Sequence, residues 1–341
     1  MHVAQILLSP RIGGAESLAA SLASEWSKSG VSSEIIYLDA DGQANSRLAR
    51  VLRVRRALRS SKPDLVIAHS ALPNLYARLA SPLSGGIVTV LHSASDDFRG
   101  RLMRVLEIAL RFRTRAVVAV SHAQANQYRG HFPKSRNVLV IPNGVRGDLP
   151  LKQSYNQAPR VVATLARVAA QKDPQLWVET VEETHAQHPG LAFQWWGPLA
   201  TESLSELVVN QNESSASGKF MGPTDDPAGI LLAADIFFHP SSREAHSIGL
   251  LEAAAVGLPI VCSYDVAATA PDGVASQTFG GPNGLSAAAA LDEIVSNWGP
   301  RYFDRSALAA SIRETYSMAA CAEQYLTLAR SPTAYPAVKN V

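Results

Sequence analysis

The feature that most constrains the fold of this chain is a regular alternation of short apolar runs with longer amphipathic stretches. β-like runs occur at Val3–Leu8, Glu34–Leu38, Leu65–Ala68, Ile87–Leu91, Ala116–Val120 and Val138–Ile141, with helical periodicity between them. A second series follows at Arg160–Leu165, Leu191–Trp196, Lys219–Met221, Asp235–His239 and Pro259–Ser263. Its helices are expected near Pro174–His188, Glu202–Gln211, Pro227–Ala233 and Ser247–Val256. Alternation of this kind yields right-handed βαβ units and parallel sheets covered on both faces. The polar, proline-bounded stretch Leu149–Pro159 separates the two series. We therefore expect two doubly wound α/β domains, over residues 1–150 and 151–341, facing a central cleft, with ligands at the carboxyl ends of the strands. Gly284–Trp298 and Asp304–Arg330 read as terminal helices free to pack back on the first domain, and the segment from Ser331 onward reads as a frayed tail.

With 341 residues, 47% of them hydrophobic, the chain has material for two cores. Met1–Pro10 is too short for a secretory signal, and the weakly charged stretch Ala245–Ser263 is broken by Glu252 and Pro259, so no membrane span is expected. The two cysteines, Cys262 and Cys321, lack metal-like spacing and suit a reduced, cytoplasmic protein. Charge is asymmetric. Residues 1–150 hold 20 Lys+Arg against 10 Asp+Glu, and residues 151–341 hold 11 against 19. Much of the basic excess lies in Arg47–Lys62 and Arg99–Arg115. In the second of these, Leu102, Val105, Leu106, Ala109 and Leu110 mark one helical face among Arg101, Arg104, Arg111 and Arg113. Such a helix suits either a solvated surface or anionic lipid at the inner face of a membrane. Nucleic acid is not an expected partner, because no recognition motif accompanies the arginines.

The stretch from Asp235 to Cys262 carries the chemistry. Glu244 falls on the loop after a buried strand, and Glu252 is the only charged side chain between Ile248 and Val261. An isolated carboxylate among aliphatic neighbours needs a hydrogen-bonding partner. Helical side chains lean toward the N-terminus, which would aim Glu252 at the mouth where the N–H groups of Ile248, Gly249 and Leu250 emerge. That describes an anion pocket flanked by hydroxyl-seeking carboxylates, as a sugar or ribose joined to phosphate requires. The alternative is that Ser247 caps the helix and Glu252 finds a backbone or arginine partner. Arg167 and Lys172, in the loop after the first strand of the second series, are placed to clamp a diphosphate. In the first series, Gly13 and Gly14 allow close backbone approach to an anion, without the spacing of a dinucleotide fingerprint. His92 ends a parallel strand and so faces the ligand side; His69 and His122 are weaker candidates.

Taken in order, GGAE at 13–16, the strand-end His92, IPNGV at 141–145, Arg167-x4-Lys172, the Gly197 turn, FMG at 220–222 and Glu244-x7-Glu252 resemble the retaining glycosyltransferases of the GT-B fold, in particular family 4. The resemblance spans roughly residues 1–265. It implies transfer of a hexose or related sugar from a UDP- or GDP-sugar to a glycan, lipid-linked or small-molecule acceptor, with retention at the anomeric carbon and no bound metal or other cofactor. Glu252 would grip the ribose, Glu244 and His246 the donor sugar, and Arg167 and Lys172 the diphosphate. Gly14, Met221 and the backbone of Ser247, Ile248, Gly249 and Leu250 would complete the donor site, with His92 near the transferred sugar. The chain departs from the family in Ala245, His246 and Ser247 after the first glutamate, and in VAATAPDGVAS after Asp265. Two other functions fit the same plan: a nucleotide-sugar epimerase using His92, His246 and Glu244, and a non-catalytic GT-B subunit that scaffolds an assembly.

Overall fold

A computed structural model of the chain describes residues 1–10, 13–40, 46–81, 86–135 and 137–330; the tail expected from Ser331 lies outside them. The chain divides into two compact units, one of residues 1–144 with the segment from Met318 onward, the other Val145–Ser317.

In the first unit β1 (His2–Leu7), β2 (Ser32–Tyr37), β3 (Leu65–His69), β4 (Ile87–Leu91), β5 (Thr114–Ala119) and β6 (Val138–Val140) form one parallel sheet in the order β2-β1-β3-β4-β5-β6. They alternate with α1 (Gly14–Lys28), α2 (Arg47–Ser61), α3 (Ala71–Ala80), α4 (Arg101–Leu110) and α5 (His122–His131). Every residue of β3 and β4 is buried. This is why they read as continuous apolar runs rather than alternating ones. Strand order reverses between β1 and β3, and a doubly wound sheet binds ligands at the carboxyl ends on either side of such a reversal.

The second unit repeats the plan. Its strands are β7 (Val161–Leu165), β8 (Ala192–Trp196), β9 (Gly218–Gly222), β10 (Ile236–His239), β11 (Ile260–Ser263) and β12 (Gln277–Phe279), parallel in the order β12-β11-β10-β7-β8-β9. The intervening helices are α6 (Pro174–Gln187), α7 (Ser205–Ser214), α8 (Pro227–Ala233), α9 (Ile248–Val256) and α10 (Tyr264–Ala267), followed by α11 (Gly284–Ser296), α12 (Pro300–Phe303) and α13 (Ser306–Thr315). Trp177, Phe193 and Trp195 fill one side of the sheet, and the Ala and Leu residues of α9 fill the other. The reversal falls between β7 and β10.

Three features differ from the sequence reading. β12 has only three residues and too little apolar pattern to announce itself. The stretch around 148–159 is no free linker: Lys152 Nζ donates to the carbonyls of Leu232 (2.7 Å) and Ala234 (2.5 Å), and Tyr155 Oη donates to Gly257 O (2.8 Å). The polar side chains that mark a linker in sequence are here capping carbonyls of the second unit, so the boundary falls at Gly144. The single helix expected over Asp304–Arg330 is instead two, broken at Tyr316, whose carbonyl accepts from Val145 N (2.7 Å); the packing back expected of a terminal helix is seen in α14 (Met318–Arg330), which lies in the first unit against α1, where Trp26 Nε1 donates to Ala322 O (3.1 Å).

α4 presents part of its apolar face to solvent. Its exposed residues include Leu102, Val105 and Ile108, while Glu107 faces inward and is buried. There the Arg78 guanidinium pairs with Glu107 at 2.5 Å and Tyr128 Oη donates to the other carboxylate oxygen at 2.6 Å. Glu107→Ala would leave a buried guanidinium without its carboxylate, and should destabilise the first unit by about 3–5 kcal/mol. Urea unfolding measures this, and Glu107→Ala together with Arg78→Met should recover part of the loss.

Candidate functional site

The reversal of strand order determines which residues meet. β7 and β10 are neighbours, so the loops leaving their carboxyl ends lie side by side. The loop after β7 ends in a short 3-10 turn at Ala170–Lys172, held by Asp173, whose side chain accepts from Leu176 N (3.1 Å) and caps α6 ahead of Pro174. The loop after β10 carries Glu244. Lys172 Nζ is hydrogen-bonded to Glu244 Oε1, and Gln171 Nε2 donates to Arg243 O (3.2 Å), so the two loops are joined by side chain and backbone. His239 Nε2 lies 3.4 Å from the same Glu244 oxygen, a long contact, and Nδ1 of this buried imidazole has no hydrogen-bond partner among the described residues.

Burial works to raise the Glu244 carboxyl, but the His239 ring and the Lys172 ammonium outweigh it and hold it down at about 2. Burial lowers His239 in turn, against the pull of Glu244. The result is an ionised carboxylate with its cation already in place, beside a neutral imidazole. His239 was not among the residues singled out from the sequence. Its place at the carboxyl end of β10, the same position relative to its strand as His92, is the signal that would have found it.

α9 approaches the β7 end closely. A Cβ on Gly249 would stand 2.9 Å from Leu165 O, so only glycine lets the helix start there. Gly197 does the same for the β8 turn, at φ +151° with a Cβ that would meet Ala166 O at 2.0 Å. Of the three N–H groups expected to be open at the start of α9, that of Leu250 is occupied: Ser247 Oγ accepts from it at 3.3 Å. Ile248 and Gly249 supply the remaining ones. Glu252 lies in α9 with its side chain only 12% exposed, and Arg146 Nε stands 3.4 Å from its carboxylate. Burial raises the Glu252 carboxyl, and Arg146 partly offsets this. Arg146 is thus the charged neighbour of Glu252, and no contact joins Glu252 to Glu244 among the described residues. Arg146, missed in the sequence, directly follows IPNGV and reaches α9 because Val145 pairs with Ser317.

The other candidates of the second unit are more dispersed. Arg167 is exposed and held by no ion pair among the described residues. Met221 is exposed at the end of β9. His246 is buried, its ring 5.8 Å from that of Tyr316, and burial pushes it down to about 4. With Thr269, Ala270 and Pro271 it borders a narrow recess beside α9. The divergent stretch after Asp265 is well tied: Arg305 donates to Gly273 O (2.6 Å) and Val274 O (2.9 Å).

In the first unit, Gly14 opens α1, where among the described residues no side chain caps the helix and a Cβ on Gly14 would meet nothing within 4 Å. His92 stands just past β4, and its Nε2 lies 2.9 Å from His69 Nδ1; His69 Nε2 lies 3.0 Å from Gln5 Oε1. His69 and Gln5 thus join His92 as a connected group on β1, β3 and β4. Among the described residues no three His, Cys, Asp or Glu side chains gather as a metal site would need, and no helix is long and apolar enough to cross a membrane.

The family model described as Glycosyltransferase Family 4 matches residues 12–149, and that described as Glycosyl transferases group 1 matches residues 159–297. The chain is 25% identical over 237 residues to the UDP-Gal:alpha-D-GlcNAc-diphosphoundecaprenol alpha-1,3-galactosyltransferase of Escherichia coli, covering 62% of this chain and 61% of that one. It is 29% identical over 145 residues to the lipopolysaccharide glucosyltransferase WaaG of Escherichia coli, covering 40% of this chain and 35% of that one. The crystal structure of HepE of Anabaena in complex with UDP-glucose superposes with a TM-score of 0.78 at 18% identity, over 97% of this chain and 100% of that one. The two parallel-sheet units thus have the GT-B fold. The chain belongs to glycosyltransferase family 4.

The Glu244 carboxyl is held below its ordinary value of 4.5, at about 2, so its ionised form stabilises the fold. That contribution is complete above about pH 4.5 and is lost as pH falls toward 2. Glu244→Gln should therefore be less stable than the wild type at neutral pH, with the gap closing on acidification through this window, as thermal unfolding across pH would show.

Proposed function

We propose that the chain is a retaining, metal-independent glycosyltransferase that moves a sugar from a UDP- or GDP-sugar to a glycan, lipid-linked or small-molecule acceptor. The observation that carries this reading is the Lys172–Glu244 pair at the β7/β10 reversal, beside the open start of α9. A diphosphate arriving there meets Lys172, the exposed Arg167 and the N–H groups of Ile248 and Gly249, so leaving-group charge is met by cations and a helix dipole. Lys172 then exchanges Glu244 for phosphate oxygens. Glu244, released, accepts hydrogen bonds from sugar hydroxyls, and Glu252, steadied by Arg146, accepts them from the ribose. Met221 borders the nucleotide, and His246 and Ser247 border the sugar-phosphate end. By the family resemblance, the first unit offers Gly14 as a phosphate contact and His92 as a sugar contact.

In the reaction the acceptor oxygen bonds to the anomeric carbon as the bond from that carbon to the phosphate oxygen breaks. The diphosphate leaves with the bonding electrons and takes the acceptor proton. Attack from the face of departure retains configuration and requires no carboxylate nucleophile. The UDP-Gal named for the Escherichia coli galactosyltransferase and the UDP-glucose bound to HepE support a UDP-sugar as the donor.

Arg167→Ala, Lys172→Ala and Glu244→Ala should each lower transfer by about 100-fold or more. Arg167→Ala should leave the melting temperature unchanged. Full activity in all three would overturn the reading. A thermal-shift screen of UDP- and GDP-sugars identifies the donor, because a ligand bound only to the folded chain raises its melting temperature.

A peripheral membrane setting is the second part of the proposal, and the outward face of α4 supports it. Leu102 (71% exposed), Val105 and Ile108, with Phe112 (65% exposed) just beyond, stand among Arg101, Arg104 and Arg111, and α2 adds exposed Leu48 and Leu52 beside its arginines. Apolar side chains facing water beside cations suit the surface of an anionic bilayer. Binding to phosphatidylglycerol vesicles should weaken as salt rises from about 0.1 M toward 1 M, where screening shortens from about 10 Å to about 3 Å. It should fall sharply in Val105→Ser/Phe112→Ser; equal binding by wild type and variant would remove this part.

A further inference from the structure

Gln5, His69 and His92 form a hydrogen-bonded chain whose proton positions are settled by its buried end. Gln5 Nε2 lies 2.8 Å from Ala19 O of α1, and a carbonyl only accepts, so this side of the amide is the NH2 group. The other side, Oε1, therefore faces His69 Nε2 at 3.0 Å, and that nitrogen must carry a proton to donate. Gln5 and His69 are both fully buried, and no carboxylate pairs with either imidazole among the described residues. Burial pushes His69 well below its usual range and His92 down to about 4, so both rings are neutral at physiological pH. A neutral His69 with a proton on Nε2 has a bare Nδ1. Its neighbour at 2.9 Å, His92 Nε2, is then the donor, and the remaining lone pair of the group is on His92 Nδ1.

A second observation places this chain at a site rather than in ordinary core. Ser70, the residue after His69, adopts φ +73° and ψ 167°, a backbone region populated almost only by glycine. It is held there by its N–H donating to Val90 O at 2.8 Å, which ties the end of β3 to the end of β4 beside the reversal of strand order. Strain of this kind persists where the surroundings over-determine it, and here it falls on the residue that follows His69.

We propose that Gln5 and His69 are positioning residues that hold His92 with Nδ1 as a hydrogen-bond acceptor, so that the sugar presents to it a neutral hydroxyl or amide N–H and never a carboxylate or phosphate oxygen. The bare lone pair attracts a donor and repels an anionic oxygen. Resting on the reading that His92 meets the transferred sugar, this narrows the donor to a neutral hexose or acetamidohexose and excludes a uronic acid carboxylate at that position.

Two measurements on the full chain test it. Long-range 15N–1H spectra of histidine-labelled protein read the tautomer without any substrate: His92 should be protonated on Nε2 alone, and Gln5→Leu should release it to a mixture of tautomers in a chain that still melts cooperatively. A His92 protonated on Nδ1, or a signature unmoved by Gln5→Leu, would overturn the relay. In transfer assays His69→Phe and His92→Phe should each lower kcat/KM for the neutral sugar by about tenfold, as loss of one hydrogen bond does, and the double variant should lose no more than either. Additive losses, or turnover of UDP-glucuronate equal to that of UDP-glucose, would overturn the specificity. Absence of turnover of any donor by the wild type would instead count against the transferase reading, and the spectra would still decide the relay.

Discussion

A doubly wound parallel sheet must leave a gap where its strand order reverses, because the crossover helices on the two sides of that point lie on opposite faces and cannot cover the strand ends between them. In the second unit the gap falls between β7 and β10. Everything chemical in that unit follows from this constraint: the loop ending in Lys172 and the loop carrying Glu244 emerge from adjacent strands, α9 starts beside them through Gly249, and the cation and carboxylate pair across the gap. In the first unit the reversal between β1 and β3 does the same for Gln5, His69 and His92.

The pairing has an electrostatic logic. A carboxylate as buried as Glu244 would ordinarily resist ionisation, but Lys172 and His239 keep it charged before any ligand arrives. Neither group of the pair is then left uncompensated, and in the proposed reaction an exchange of partners would replace one ion pair by others instead of creating new buried charge. Glu252 has a similar arrangement with Arg146, although there burial wins and its carboxyl is raised.

The sequence was most legible where a property repeats over a few residues. Every strand but β12 was visible as a short run, most clearly β3 and β4, where burial on both faces removes polar alternation. Glu244, Lys172 and His92 were visible because a charged or imidazole side chain at the carboxyl end of a parallel strand has a predictable direction. Legibility failed where direction depends on distant partners. The apolar face of α4 was legible as solvated or lipid-facing, but nothing local revealed that Glu107 turns inward to the buried Arg78 and Tyr128. Polar residues at 148–159 suggested a linker because nothing local reveals that Lys152 caps the carbonyls of Leu232 and Ala234.

By itself, the sequence determined the two-fold repetition of βα units, the family, and the loops that hold the charged residues. These depend on interactions within one turn or one strand, which neighbouring residues encode. Only the tertiary structure decided that Arg146 is the charged neighbour of Glu252, that Trp26 meets Ala322 of α14, and that Gln5 and His69 set the proton of His92. Those partners are separated by many tens of residues, and the order of strands in each sheet, not any local pattern, brings them within hydrogen-bonding distance.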